Sequence, residues 1–99
     1  MHMLEVDRVK VDGNIFLGLK ADLPDAPPLL ALIGGKGFVM CGYLNLEVAE
    51  RLNTVAAFVS GVKSFDDMLN AEVKGATSKA KSLGVETGKV LKTVIGRLA

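Results

Sequence analysis

The most apolar window of the chain, residues 29–46, constrains its fold more than any other feature. These 18 residues contain one charge, Lys36, and nominally reach the length of a membrane-spanning helix. Four glycines interrupt the window, and a Gly-Gly-Lys-Gly centre makes a poor helix. We therefore predict two short strands, residues 29–33 and 38–43, joined by a glycine turn. Their near-continuous apolar character indicates central strands covered on both faces.

The N-terminal third predicts a first antiparallel hairpin. Apolar and charged residues alternate imperfectly over residues 4–11, and the slip at Asp7-Arg8 suggests a bulge within one strand. Asp12-Gly13 favours the positive backbone angles of a tight turn, and residues 15–19 supply the returning strand. All three prolines lie within residues 22–28, which we expect to form a surface connection between the hairpins.

The following segments predict short helices and one more strand. Asn45 is a good N-cap for a short helix, and residues 54–62 form the next predicted strand. This crossover places the 54–62 strand parallel to a neighbour, so the sheet should be mixed. Ser64 begins a capping box that opens a second helix, residues 71–77 are expected to be a connection, and a third helix should end at Gly84.

A last helix, capped by Thr87, is expected at the C-terminus. It carries one apolar stripe, which we interpret as core: Val90, Leu91, Val94, Ile95 and Leu98. A chain of 99 residues has room for one core. We predict a single α+β domain over residues 1–99, with a mixed, mainly antiparallel sheet of about five strands. Two N-terminal hairpins and one strand after a short helix form this sheet, and C-terminal helices cover it.

Composition limits the class of partner. With 49% hydrophobic and 23% charged residues, the composition argues against disorder. A formal net charge of +1 gives no electrostatic reason to expect nucleic acid or an anionic membrane as a partner. One Tyr, four Phe and no Trp leave no stacking platform for single strands. One cysteine and no secretory signal favour a cytoplasmic setting. One histidine and scattered carboxylates predict no metal site, and we expect no cofactor.

Several segments are distinctive in combination. They are GKGFVMCGYLN at residues 35–45, VSGVKSFDDMLNA at residues 59–71, and Thr77-Ser78 with Leu83-Gly84-Val85 and Gly88. Together they resemble the YunC-like family of small bacterial and archaeal proteins over nearly the whole chain. One departure is Asn45, where the family pattern favours aspartate. The resemblance implies an α+β single-domain fold, and because the family is a domain of unknown function, it implies no activity.

Cys41 is the candidate for thiol chemistry. It ends a predicted central strand, and Gly42 beside it leaves room for another backbone or a ligand. A nucleophilic cysteine needs a histidine, a cation or a helix N-terminus to stabilise its thiolate. His2, near the terminus, is the only histidine, which leaves Lys36, Lys63 or the start of the next helix. The alternative, a small buried hydrophobe, is the commoner role of a free cysteine.

The Gly34–Gly37 turn is a candidate anion site. Gly35, Lys36 and Gly37 could present successive backbone N–H groups and an ammonium to an anion. The turn does not match a P-loop, because a P-loop runs from a strand into a helix and this turn joins two strands. A plain hairpin turn is the alternative and the favoured interpretation.

Two classes of function remain open. The favoured one is a non-enzymatic module that acts by self-association, since apolar strands with too few helices to cover both sheet faces indicate that another copy completes a surface. The alternative is a small-molecule-binding protein or minor enzyme. Its site would gather residues at the sheet edge: Cys41, Gly42, the Gly34–Gly37 turn, Ser60, Gly61 and Lys63. A Cys41 buried far from any cleft would contradict this alternative.

Overall fold

The computed structural model describes residues 4–99. Its strands are β1 (Leu4–Val11), β2 (Asn14–Leu23), β3 (Ala26–Ile33), β4 (Phe38–Met40), β5 (Ala56–Phe58) and β6 (Gly75–Ala76). Its helices are α1 (Leu46–Arg51), α2 (Phe65–Asn70), α3 (Ser78–Ser82) and α4 (Leu91–Val94), and a 3-10 helix (Ile95–Leu98) continues α4. His2 lies outside the described residues.

The strands form one sheet in the order β1-β2-β3-β4-β5-β6. Strands β4 and β5 are parallel, and the other neighbours are antiparallel. The predicted α+β fold with a mixed, mainly antiparallel sheet is confirmed. The apolar window forms two strands, although β4 ends at Met40 rather than at residue 43. The sixth strand, β6, lies within residues 71–77, which the sequence predicts to be a connection. Two residues are too few to show a strand periodicity.

The first hairpin has the predicted turn but a different irregularity. Asp12 and Gly13 have φ of 50° and 86°, as the tight turn requires. The register of β1 against β2 is continuous, so the bulge predicted at Asp7-Arg8 is wrong. The charged Asp7 keeps the register because it lies at the edge of the sheet, where it stays exposed. The register instead shifts between Ala21 and Leu23.

The predicted connection over residues 22–28 is mostly strand. Its turn is only Pro24-Asp25, and Pro27 and Pro28 belong to β3. These two prolines have no paired residue in β2, because they lie where the register shifts. A proline without a backbone N–H is tolerated at such an interruption of the ladder.

The helices α2 and α4 and the 3-10 helix cover one face of the sheet, here called the helical face. The largest buried side chains meet there: Phe16, Leu30, Leu32, Met68, Leu91, Ile95 and Leu98. The opposite face, here called the open face, carries α1. Helix α1 lies against the β5–β6 end of this face: the position of a Cβ on Gly75, in β6, is next to the side chains of Leu46, in α1, and Phe58, in β5. The prediction that β3 and β4 are covered on both faces fails at the end of β3, where Ile33 is 40% exposed. The residues of β4 are buried or half-buried.

Helix boundaries follow the local signals except at the C-terminus. Gly84, with φ of 101°, ends α3 as predicted. Thr87 caps no helix, because α4 begins only at Leu91 and Val90 stands at its N-cap. The intervening backbone instead pairs with residues 72–73 through three interactions: Gly88 N–H to the Val73 carbonyl, Val73 N–H to the Lys89 carbonyl, and a Glu72–Val90 bridge. Four residues of the predicted apolar stripe are buried, namely Leu91, Val94, Ile95 and Leu98, and Val90 is half-buried.

Within residues 4–99, no helix is both long and apolar enough to cross a membrane.

Candidate functional site

A crevice opens where β4 and β5 end. The chain leaves β4 toward α1 on the open face, and it leaves β5 toward α2 on the helical face, where Phe65 lies against Gly18. Adjacent parallel strands whose connections run to opposite faces leave a crevice at their carboxyl ends, which is where open sheets bind ligands. The topology alone therefore positions a concave site here.

The crevice has a volume of about 330 Å³. Its lining residues are Pro27, Pro28, Cys41, Gly42, Tyr43, Ser60, Gly61, Val62 and Lys63. The structure thus brings five of the predicted site residues together: Cys41, Gly42, Ser60, Gly61 and Lys63. The volume is at the lower end of the range for small-molecule pockets, which is about 300–1,000 Å³.

Cys41 is buried at 5% exposure, yet it contributes to the wall of the crevice. Its Sγ accepts the backbone N–H of Leu30 at 3.3 Å and lies 3.9 Å from the Pro28 carbonyl oxygen, to which the thiol can donate. Both interactions fasten β3 to the end of β4. This arrangement favours a structural thiol over a nucleophile, although its position at a cleft keeps the ligand-site alternative open.

Tyr43 forms the outer wall of the crevice. Its hydroxyl donates to the Pro27 carbonyl oxygen at 2.9 Å, which holds the segment after β4 against the start of β3. On the opposite wall, the backbone N–H of Lys63 donates to the Asp67 carboxylate at 3.0 Å, and this bond fixes the loop that precedes α2. Both walls of the crevice are therefore held by hydrogen bonds outside the sheet.

The glycine turn lies at the other end of β4, four extended residues or ~13 Å from Cys41. The backbone N–H groups of Lys36 and Gly37 donate to the Leu98 carbonyl oxygen at 2.9 and 3.3 Å. The chain's own C-terminal helix thus occupies the N–H groups that an anion would need. Gly35, Lys36 and Gly37 do not join the crevice, and the plain hairpin turn is the interpretation that this geometry supports.

The open face carries a second candidate site, a patch of exposed aliphatic side chains. The register of the sheet puts five of them on this face, and two more lie along α1: Leu4, Val6, Ile15, Leu17 and Ile33, with Val48 and Leu52. We call these seven residues the apolar patch. Their exposed fractions run from 37% at Val48 to 69% at Leu52.

Helix α1 is held firmly beside this patch. The Glu50 carboxylate accepts the backbone N–H and the hydroxyl of Ser78, each at 2.7 Å, and so joins α1 to α3. Chiefly the bond from the Ser78 backbone N–H lowers the pKa of Glu50 from its ordinary value. A shallow apolar groove lies at the foot of α1, with Phe38, Val48 and Leu52 among its lining residues.

No group of three His, Cys, Asp or Glu side chains within residues 4–99 is arranged to hold a metal ion.

A family model supplies the relationship of this chain to known proteins. The model of DUF1805, a domain of unknown function, matches residues 40–98. The chain belongs to this family. It is 27% identical over 90 residues to the uncharacterized protein YunC of Bacillus subtilis strain 168, a match that covers 87% of this chain and 88% of YunC.

A solved structure shares the fold. The crystal structure of TA1206, a protein of unknown function from Thermoplasma acidophilum, matches with a TM-score of 0.94 and 41% sequence identity. The match covers 99% of this chain and 95% of TA1206. The predicted YunC-like relationship and the α+β fold are both confirmed, and the relatives carry no assigned activity. The matched family segment contains both loops of the crevice and begins after β3.

Sequence reasoning missed four lining residues, Pro27, Pro28, Tyr43 and Val62. A signal for three of them was present in the hairpin. Once residues 34–37 are taken as a turn, counting back along both strands sets Cys41 opposite Leu30, and its N–H does donate to the Leu30 carbonyl at 3.0 Å. The same count places Tyr43 beside the Pro27-Pro28 pair. Val62 gave no such signal, because its position depends on the loop after β5.

Proposed function

We propose that the protein is a non-enzymatic module that self-associates, and that the apolar patch of one copy packs against that of a second copy. The observation that carries this proposal is the concentration of exposed aliphatic side chains on one face. Seven of the eight large apolar residues exposed within residues 4–99 belong to the patch, and Tyr43 is the exception. Scattered exposed apolar residues are ordinary, but a contiguous patch marks an interaction surface.

The register makes the patch contiguous. Val6 pairs with Leu19 and Leu19 with Ala31, which gives one apolar row across three strands. Leu17 pairs with Ile33, which continues the next row. Directly opposed residues share a face of the sheet and lie about 5 Å apart. Diagonal neighbours in adjacent rows lie about 7–8 Å apart, within reach of long side chains.

The area of the patch suits a dimer. From their exposed fractions, the seven residues together expose roughly 700 Å² per copy. This area is close to the ~800 Å² per partner of a standard protein interface. A two-fold interface uses the same surface on both copies, so a single patch is sufficient.

The shape of the open face favours a particular arrangement. Helix α1 stands over the β5–β6 end, and the β1–β3 part beside it is uncovered, so the face has a step. A two-fold axis parallel to the strands would set α1 of each copy over the uncovered strands of the other. Val48 and Leu52 of one copy would then contact residues such as Leu17 of the second.

Edge pairing through β1 is the less favourable way to associate. Strand β1 is an outer strand of the sheet, and Glu5, Asp7, Arg8 and Lys10 lie along it. Charged residues on an edge strand oppose the addition of another strand. Arg8 and Lys10 share the open face with the patch and would form its charged rim.

A cytoplasmic location is part of the proposal. Its support is the single cysteine, which is free and buried. Reducing compartments keep such thiols unpaired.

A charge placed in the patch tests the proposal. Leu17→Glu removes about 90 Å² of apolar surface per copy, which at ~25 cal/mol/Å² amounts to ~4 kcal/mol per dimer. We expect the dimer dissociation constant, measured by sedimentation velocity, to rise at least ~100-fold. Thr87→Glu is the matched control, because Thr87 is exposed outside the patch. A wild-type protein that stays monomeric at millimolar concentration, or equal weakening by both substitutions, contradicts the proposal.

A further inference from the structure

Four residues that line the crevice have backbone N–H groups without a protein acceptor among residues 4–99. Gly42 and Tyr43 line one wall, and Ser60 and Gly61 line the other. None of their backbone N–H groups donates a hydrogen bond to any residue in the range 4–99 that the structure describes. Backbone N–H groups without a protein partner in a concave site are ready to bind an acceptor from outside.

These donors are unpaired because the sheet ends here. The last rungs are the bond from Cys41 N–H to the Leu30 carbonyl and the bond from Val59 N–H to the Met40 carbonyl, each 3.0 Å. Beyond these bonds, the segments that follow β4 and β5 diverge toward opposite faces of the sheet. Gly61, with φ of 71°, adopts a backbone conformation that a continuing strand cannot have. The divergence that opens the crevice thus also frees its donors.

The charge of the lining favours an anion. Among the lining residues within the range 4–99, Lys63 is the only ionisable side chain apart from Cys41 and Tyr43, and none is a carboxylate. The nearby Asp67 is engaged at the start of α2, where its carboxylate accepts the Lys63 N–H and its own N–H donates to Ser64. A carboxylate or phosphate group would find N–H donors and an ammonium at a surface that no carboxylate of residues 4–99 lines.

The remaining surface is apolar. Pro27, Pro28 and Val62 line the crevice, and its volume of about 330 Å³ exceeds that of a lone inorganic anion. We propose that the crevice binds a small organic anion. Its carboxylate or phosphate accepts the N–H groups of the two loops and faces the Lys63 ammonium, and its apolar body lies against Pro28 and Val62. This binding is independent of the apolar patch.

The test is an amide NMR titration of the full chain. The probes are benzoate, phenyl phosphate and the neutral isostere benzamide. We expect saturable shifts of the Gly42, Tyr43, Ser60 and Gly61 amides with at least one anion, whose dissociation constant is at least tenfold below that of benzamide. The anion that binds more tightly identifies the headgroup as carboxylate or phosphate.

Two lysine variants complete the test. Lys63→Gln should weaken binding of the better anion at least fivefold, whereas Lys36→Gln, on the glycine turn, should leave it within twofold. Both side chains are exposed, so both variants should fold. The proposal is overturned if neither anion shifts the crevice amides, if benzamide binds equally well, or if Lys36→Gln weakens binding as much as Lys63→Gln.

Discussion

Thr77 holds together the end of the sheet that carries α1 and α3, and its hydroxyl makes a quantitative test of the structure. Thr77 is 1% exposed. Its Oγ1 accepts the backbone N–H groups of Ala56 and Ala80 at 3.2 and 3.3 Å and donates to the Thr54 carbonyl at 2.8 Å. One hydroxyl thus completes the edge of β5, caps α3 and fixes the chain before β5.

Thr77→Val keeps the shape and removes all three bonds. The N–H groups of Ala56 and Ala80, residues with no exposed surface, lose their acceptor, and each buried unsatisfied donor costs about 1–3 kcal/mol. The added methyl returns ~1 kcal/mol. We therefore expect the free energy of unfolding to fall by about 2–4 kcal/mol, a large share of the ~5–15 kcal/mol typical of a domain.

The assay is urea unfolding followed by far-ultraviolet circular dichroism, at one protein concentration for all variants because association shifts the apparent stability. Thr77→Ser keeps the hydroxyl and loses one methyl, so it should cost only ~1 kcal/mol. With a typical urea m-value, the valine variant should unfold ~2 M earlier than the wild type. A valine variant as stable as the serine variant would refute the assigned hydrogen bonds.

Three further predictions concern other parts of the molecule. Native Cys41 should react with iodoacetamide at least tenfold more slowly than in urea, because it is buried and hydrogen-bonded; equal rates would contradict this environment. Glu50→Gln should lower the urea midpoint at pH 7. This difference from the wild type should vanish as the pH falls below about 4.5, because a carboxylate with a lowered folded-state pKa stabilises only while it is ionised. A difference that persists at pH 2 would exclude the ionic cause. Gly34→Ala should lower the free energy of unfolding by about 2 kcal/mol or more, since its Cβ would collide with the Leu98 carbonyl. The control Gly42→Ala, whose Cβ meets nothing within 4 Å, should change it by less than ~0.5 kcal/mol. Equal effects of the two substitutions would contradict the close approach at Gly34.

Local sequence signals were sufficient for much of the fold. Asn45 and Ser64 cap α1 and α2 with their side chains, as predicted, because an N-cap needs only residues three positions apart. The Asp12-Gly13 turn and the parallel strand after α1 follow from equally local rules. Asn45 makes this cap through its Oδ1, which accepts the Val48 N–H.

The errors fall where distant partners decide the structure. Thr87 is of a residue type that favours N-caps, but residues 88–90 pair with residues 72–73, so the helix begins only after them. Strand β6 exists only because β5 offers it an edge. An apolar run such as residues 29–33 shows that a strand is hydrophobic on both sides, but it does not show whether a helix or a second copy covers each side.

Only five of the nine residues that line the crevice were predicted, for the same reason. Cys41, Gly42, Ser60, Gly61 and Lys63 were found because glycines and reactive residues at strand ends are visible in the sequence. The glycine turn was grouped with them, yet the Leu98 carbonyl already uses its N–H groups. That partner lies about 60 residues further along the chain, beyond any local pattern.

The most direct test of self-association through the apolar patch is an isotope-filtered NOE experiment on an equal mixture of ¹³C-labelled and unlabelled protein. The experiment detects only contacts between copies. We predict intermolecular NOEs that join the methyl groups of Val48 or Leu52 in one copy to those of Ile15, Leu17 or Ile33 in the other. Intermolecular NOEs confined to the backbone of β1, or none at a concentration where sedimentation shows a dimer, would contradict the proposed face.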